Sequence, residues 1–291
     1  MDYLLHILIL INIYIILVIS LDLIAGYTGL LSIAHAAFYG IGAYATALLS
    51  LHFQTNFLVN MALGMAGAAL LGTIIAFPSL RIHDDYFVIA TFGFQMIVYS
   101  VFNNWVDFTR GPLGIPGIPT ASLFGFAIDS HWKFLILSAL FACLAYGVVH
   151  KLVNSPYGRV LKAIREDEIF ARSLGKNVNS YKIQVFAIGG ALASVAGNLY
   201  AHYVTFIDPT SFTILESILV ISMVIIGGAG SLRGPVIGAV VLVILPEALR
   251  FVGLPSSVAA NLRQIFYGSL LVLMMLYRPQ GLIGEFNLQG R

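Results

Sequence analysis

Long apolar runs recur along the whole chain and constrain its fold more than any other feature. A helix that crosses a lipid bilayer needs about 20 mostly apolar residues. Charged residues make up 10% of the 291 residues, whereas soluble domains carry about 25%. The sequence therefore predicts an all-α, polytopic transmembrane bundle of about nine spans (eight to ten), as a single domain over 1–291. The predicted spans are 3–22, 28–50, 57–79, 86–103, 132–150, 182–204, 213–229, 235–252 and 260–277.

Basic residues concentrate between the fifth and sixth predicted spans, where seven of the 15 Lys and Arg residues fall in 151–182. Short loops rich in these residues stay in the cytoplasm. Threading the spans around this loop predicts an outer N-terminus and an inner C-terminus. The N-terminal run lacks a signal-peptide pattern and is predicted to be a retained first span. The threading places four more basic residues inside, Arg81, Arg233, Arg278 and Arg291, and four outside, Arg110, Lys133, Arg250 and Arg263.

The cytoplasmic loop 151–182 is predicted to hold two short amphipathic helices. Ser155 and Pro156 are typical of a helix start, and Gly175 of a helix stop. Two apolar stripes are out of register with each other, so each helix should present a charged face away from the membrane. A solvated linker parallel to the membrane is the alternative, but a lipid-surface helix would be mainly basic. The acids between the stripes favour a protein partner.

The outer loop 104–131 contains the sequence RGPLGIPGIP. Its glycines and prolines exclude a continuous helix and favour a compact irregular loop. The loop either docks a substrate-delivery protein or only joins two spans, and composition leaves both open.

Glycines and other small residues recur in patterns that suit close helix packing in lipid. Glycine-rich openings at 26–29 and 227–230 are compatible with interrupted helices in two related halves, or with ordinary helix breaks. The small residues spaced four apart are Gly64, Ala68 and Gly72, then Gly189, Ala193 and Gly197, then Gly230, Gly234 and Gly238.

Enzyme motifs are absent from the sequence, which lacks HExxH, CxxC, G-x-S-x-G and a Walker A motif. Its histidines have no metal-ligand spacing, and its clustered charge does not suggest nucleic acid. An ion-driven carrier would place carboxylates at membrane depth. Asp22 and Glu216 fall near predicted span ends, where water is within reach, and Glu247 follows a proline. His35 is interpreted as a packed or hydrogen-bonded helix residue.

Five segments resemble the LivM-type permeases, in the same order along almost the whole chain. They are GYTGLLSIAHAAFYGIGAYATALL (26–49), DYFVIATFGFQMIVYSVFNNW (85–105), RVLKAIREDEIFARSLGKNVNSYK (159–182), the stretch YAHYVTFIDPTSF through VVLVILPE (200–247), and YRPQGLIG (277–284).

This resemblance implies a multi-pass subunit of a bacterial inner-membrane ABC importer for branched-chain amino acids. Its expected partners are a second, LivH-like permease, two cytoplasmic ATPase subunits and an extracytoplasmic binding protein. It implies no cofactor and no catalysis by this chain, since ATP hydrolysis belongs to the partners. The residues expected to contact the ATPase through the coupling loop are Arg165, Glu166, Asp167, Glu168, Arg172 and Gly175.

The substrate pathway is predicted at the glycine-broken entry formed by Gly26, Gly29 and His35. Related permeases for urea or short-chain amides are an alternative within the same family. An ion-coupled secondary carrier is a second alternative, disfavoured because carboxylates do not cluster inside the spans. A membrane scaffold or an intramembrane enzyme is a third.

Overall fold

The computed structural model describes residues 2–79, 84–123, 126–250, 268–269, 271–274, 276–278 and 280–283. Helices dominate these residues, as predicted. In chain order they are α1 (Asp2–Thr28), α2 (His35–Phe53), α3 (Phe57–Ser79), α4 (Asp84–Asn104), α5 (Val106–Thr109), α6 (His131–Val153), α7 (Pro156–Glu166), α8 (Glu168–Ser173), α9 (Val178–Val204), α10 (Ile214–Gly227) and α11 (Arg233–Arg250).

Six helices among the described residues are long and apolar enough to cross a membrane, namely α1, α2, α3, α4, α6 and α9. The predicted spans at 213–229 and 235–252 correspond to shorter apolar helices, α10 and the first part of α11. At 1.5 Å per residue, the 14 residues of α10 extend about 21 Å, less than the roughly 30 Å of a hydrocarbon core. The predicted span 260–277 lies mostly outside the described residues.

Helices α1, α2 and α9 form the centre of the bundle. In the apolar windows of α1 and α9, 67% of the residues are buried, compared with 22–33% in α3, α4 and α6. Small residues explain the close packing. A Cβ atom at Gly42 would collide with the backbone of Ser194, and one at Gly197 would collide with the carbonyl oxygen of Tyr39. The third predicted stripe packs similarly, since Gly238 lies against the backbone of Met223.

The N-terminus of α2 lies inside the bundle, since His35, Ala36 and Ala37 are buried, and the preceding residues 29–34 are not helical. The Ala36 N–H donates to Ser217 Oγ at 2.9 Å, and the Ala37 N–H donates to Gln95 Oε1 at 2.6 Å. Side chains from α10 and α4 thus satisfy backbone donors that a helix start leaves free. The helical part of the predicted span 28–50 therefore begins only at His35.

The loop 104–131 is compact and tied to the end of α9. It contains α5, a 3-10 turn at Gly111–Leu113 and three two-residue strands: β1 (Ile115–Pro116), β2 (Ser122–Leu123) and β3 (Phe126–Ala127). Strand β1 pairs antiparallel with β4 (Phe206–Ile207), and β2 pairs with β3. A second 3-10 turn, Pro209–Phe212, then leads into α10.

Candidate functional site

Helices α7 and α8 form a separate element outside the bundle, with the predicted start and stop. The Ser155 side chain caps the first turn of α7. Asp167 separates the two helices, and its carboxylate accepts the Phe170 N–H at 2.9 Å. Gly175 follows α8 with a φ of 75°, a conformation that suits glycine. Both short helices predicted from the sequence are confirmed.

The two apolar stripes of this element differ in how far they are exposed. On α7, Leu161 and Ile164 are buried, as an amphipathic helix requires. On α8, Ile169 is 80% exposed and Phe170 is 58% exposed, and Leu174 is exposed as well. Asp167 and Arg172 are exposed as well, so the outer surface of α8 combines charged and apolar side chains. Glu168 instead turns toward α9.

Glu168 fixes α8 to α9 through two ion pairs. One carboxylate oxygen accepts from Lys182 Nζ at 2.6 Å, and the other accepts from Arg172 Nη2 at 2.6 Å. Lys182 is buried at the start of α9. Nearby, the Tyr157 and Tyr181 rings lie 5.1 Å apart, and burial, together with Tyr181, raises the pKa of Tyr157 to about 12. These contacts hold α7 and α8 in one orientation.

Arg165 connects α7 to the bundle. Its side chain is only 12% exposed, and Nη1 donates to the carbonyl oxygen of Gly26 at 2.7 Å. Its Nη2 also donates to Glu166 at 2.9 Å. On the same face of α7, Lys162 Nζ lies 5.7 Å from the centre of the Tyr27 ring. The element therefore contacts the last turn of α1 directly.

The turn between α10 and α11 also contacts the C-terminal part of α1. Asp22 on α1 is fully buried, and its Oδ1 accepts the Gly230 N–H at 2.7 Å. The expectation that Asp22 lies near a span end within reach of water is wrong, since α1 continues to Thr28. We call the group Asp22, Gly26, Arg165 and Gly230 the junction. It brings the two glycine-rich openings, 26–29 and 227–230, into contact.

The motif at 277–284 reaches the same end of the bundle. The Leu282 N–H donates to Ile226 O at 2.9 Å, and the Ile283 N–H donates to Gly227 O at 3.0 Å. Ser231 Oγ donates to Ile283 O at 2.8 Å. These bonds hold residues 282 and 283 against the end of α10 and the turn that follows it.

The other two carboxylates considered from the sequence, Glu216 and Glu247, also lie between α1 and the α10–α11 pair. Glu216 accepts a hydrogen bond from the Tyr14 hydroxyl at 2.7 Å, and Glu247 accepts one from Tyr3. Hydrogen bonds of this kind offset the cost of placing a carboxylate among apolar helices.

Comparisons with known proteins place nearly the whole chain in one family. The family described as the permease component of branched-chain amino acid transport systems matches residues 3–275. The chain belongs to this permease family. No solved structure matches it.

Three relatives illustrate the range of this family. The high-affinity branched-chain amino acid transport permease LivM of Escherichia coli is 37% identical, covering 93% of this chain and 68% of the relative. A probable LivM permease of Methanocaldococcus jannaschii is 28% identical, with 85% and 78% covered. The LivH permease of Salmonella typhimurium is 25% identical, with 94% and 91% covered. The chain is thus similar to both LivM and LivH permeases, and it is a multi-pass membrane protein.

The predicted site residues of this permease lie at the junction, around the start of α2, and along α7 and α8. Arg165 and Gly26 meet at the junction. Gly29, with a φ of 75°, follows the end of α1. His35 is buried at the start of α2, with Nε2 2.7 Å from Ser20 Oγ, which confirms the interpretation of a hydrogen-bonded helix residue. The remaining predicted residues lie along α7, α8 and the turn after them: Glu166, Asp167, Glu168, Arg172 and Gly175.

Sequence reasoning missed the polar residues that join elements inside the bundle. Gln95 bonds both α2 and the Phe212 carbonyl oxygen, and Ser217 caps α2. Asp22 and Gly230 were both singled out in the sequence, but their pairing at the junction was not predicted. The sequence did carry a signal for these residues. A polar side chain inside an apolar span costs free energy, so each such residue is a candidate for a specific contact.

Proposed function

We propose that this chain is a permease subunit of an ABC importer and forms, with a second permease, the path for branched-chain amino acids. The observation that carries the proposal is the match to the permease family over residues 3–275. The relatives named LivM and LivH are permeases of branched-chain amino acid transport systems. A LivH-like chain is accordingly the proposed second permease.

The energy for transport is proposed to come from two cytoplasmic ATPase subunits that dock on α7 and α8, the coupling loop 151–182. Exposed Ile169, Phe170 and Leu174 support a protein partner there, because such side chains gain free energy when a partner removes them from water. The mixed charges of exposed Glu166, Asp167 and Arg172 would then fix the orientation of the ATPase, whereas Arg165 and Glu168 turn toward the bundle.

The proposed topology is a single domain of about nine spans in a bacterial inner membrane, with the N-terminus outside and the C-terminus inside. The clustering of basic residues in 151–182 supports this orientation. The opposite end of the bundle carries the loop 104–131, which we propose as the surface for an extracytoplasmic binding protein. Its pairing with β4 gives that surface a fixed shape.

The proposed substrate path passes Gly26, Gly29 and His35. The start of α2 lies inside the bundle, directly after the non-helical residues 29–34, and the positive end of its helix dipole would favour an amino-acid carboxylate. ATP-driven closure of the ATPase subunits would move α7 and α8 and switch the path between outward and inward access.

The test is uptake of radiolabelled leucine by proteoliposomes that contain both permeases, the ATPases and the binding protein. We expect ATP-dependent uptake that excess urea does not reduce and that continues when ion gradients are collapsed. Competition by urea or short-chain amides would reassign the substrate. Uptake by this chain alone, lost when ion gradients collapse, would make it a secondary carrier instead.

A further inference from the structure

We propose that Asp22 and Arg165 are positioning residues that transmit movement of α7 and α8 to the pair α10–α11. The inference rests on the proposed function, in which a partner moves α7. It goes further by naming the helices that respond and the atoms that connect them. Neither residue is proposed to touch the substrate.

The geometry places three elements in contact at one point. Arg165 Nη1 on α7 donates to Gly26 O on α1, and Asp22 Oδ1 on α1 accepts from Gly230 N in the α10–α11 turn. A methyl group built on Gly230 would lie 2.6 Å from Arg165 Nη1 and 3.1 Å from Gly26 O. Gly230 also has a φ of 79°, which favours glycine in this turn. The Arg165 guanidinium therefore lies beside Gly230, so its displacement would reach the turn.

Asp22 gives the junction a second possible arrangement. Its side chain is fully buried, and among the described residues its Oδ2 atom has no hydrogen-bond partner. A buried carboxylate oxygen is a strong acceptor for a guanidinium. If α7 moves, Arg165 can exchange the Gly26 carbonyl oxygen for Asp22 and loosen the bond to Gly230. An element with two discrete arrangements is what coupling between distant sites requires.

Helices α10 and α11 are packed closely enough to move together. Gly227 packs against the backbone of Gly234, and Gly238 against that of Met223, so the two helices cannot slide apart easily. Ser217 on α10 accepts the N–H of Ala36 at the start of α2. Movement at the turn would thus reach the interior end of α2, beside the proposed path.

The experiment measures movement of the turn without reference to any substrate. Ser231 is replaced by cysteine in a chain whose single cysteine, Cys143, is replaced by alanine. The complete complex in inverted membrane vesicles is labelled with a membrane-impermeant maleimide, with and without ATP. We expect ATP to change the labelling rate at position 231 on the order of five-fold or more, the lower end of typical coupling.

Asp22→Ala and Arg165→Ala should each reduce this ATP-dependent change to less than about two-fold, outside the usual coupling range. The double variant should lose no more than either single one, since both break the same connection. Asp22→Asn, which keeps an acceptor for Gly230, should restore part of the change. Arg159→Ala is the matched control on the exposed side of α7 and should behave like the parent chain.

An unchanged response in Asp22→Ala would overturn the proposal, and so would a parent chain whose turn does not respond to ATP. An incorrect substrate assignment would be distinguishable from both outcomes. It would appear as absent leucine uptake in complexes that still show the ATP-dependent labelling.

Discussion

At the scale of single residues, the polar side chains inside this permease act as connectors. Asp22 holds the α10–α11 turn, Gln95 holds the start of α2, and Glu216 bonds Tyr14. Each polar group costs free energy in an apolar bundle unless it is hydrogen-bonded. These residues therefore mark places where one helix must meet another in a defined register.

Variants of Glu168 and Glu166 provide a matched test of whether such side chains act as connectors in α7 and α8. Glu168 is 27% exposed and bonds the buried Lys182, whereas Glu166 is 62% exposed. Glu168→Gln should loosen α8 by about 1–3 kcal/mol, the cost of leaving a buried polar group poorly satisfied. Glu166→Gln should cost less than about 1 kcal/mol, as exposed ion pairs do.

Limited trypsin digestion of the purified protein measures this loosening, since cleavage after Arg172 and Lys176 reports on the opening of α8. We expect cleavage at these sites to become about five-fold faster or more in Glu168→Gln, given that 1.4 kcal/mol corresponds to ten-fold. Equal cleavage rates in the two variants would contradict the assigned role of Glu168.

Local signals at the residue scale were predictable from the sequence, and long-range ones were not. Ser155, Pro156 and Gly175 bound the α7–α8 element as their capping chemistry indicates. Asp22 and Gly230 lie 208 positions apart, so no local pattern could pair them. The exposure of Ile169 was missed because the pairing of Glu168 with Lys182, which orients α8, is also non-local.

At the scale of helices, close approach through glycine sets the architecture of the bundle. Gly42 and Gly197 bring α2 and α9 together at the centre. Lipid gives no hydrophobic force between helices, so backbone contact of this kind supplies much of the attraction.

Gly197→Ala should therefore destabilise the bundle, because its Cβ would collide with Tyr39 O and overpacking costs about 1–3 kcal/mol. The matched control is Gly147→Ala in α6, where a Cβ atom meets nothing within 4 Å. There the better helix propensity of alanine should be neutral or add up to about 1 kcal/mol. Thermal unfolding in detergent measures the stability of both variants. Equal unfolding midpoints would show that close contact between α2 and α9 does not limit the stability of the bundle.

The spans were predictable as apolar segments, but their ends depended on tertiary contacts. Six predicted spans match helices of spanning length. The segment 213–229 contains a shorter helix, because Gly228 ends α10 with a φ of 111°. Hydropathy counts apolar residues and does not register such a turn, nor the side-chain caps that allow α2 to begin inside the bundle.

At the scale of the whole molecule, the chain has two distinct ends. One end carries α7 and α8, the α10–α11 turn and residues 281–283, all close to the C-terminal end of α1. The other carries the loop 104–131, together with His6 and Tyr203, whose side chains lie 2.7 Å apart. The proposed importer needs this separation, since the ATPase and the binding protein act on opposite sides of the membrane.

Cysteine labelling tests that orientation. Leu113 in the loop 104–131 and Ile169 on α8 are both 80% exposed. With Cys143 replaced by alanine, a cysteine at 113 should react with an impermeant maleimide in intact spheroplasts. A cysteine at 169 should react only in inverted vesicles, prepared without the ATPase subunits that are proposed to cover α8. The opposite pattern would reverse the proposed topology.

The central claim is that a partner ATPase drives this permease by docking on α8, and co-purification from detergent tests it most directly. The variant Ile169→Ser/Phe170→Ser removes two of the three exposed apolar side chains of this surface without touching the Glu168 ion pairs, and Leu113→Ser is the control. The account predicts that the double variant keeps the second permease but loses at least about ten-fold of the ATPase, since each buried apolar side chain is worth about 1.5–3 kcal/mol. Recovery of the ATPase in equal amounts from both variants would contradict it.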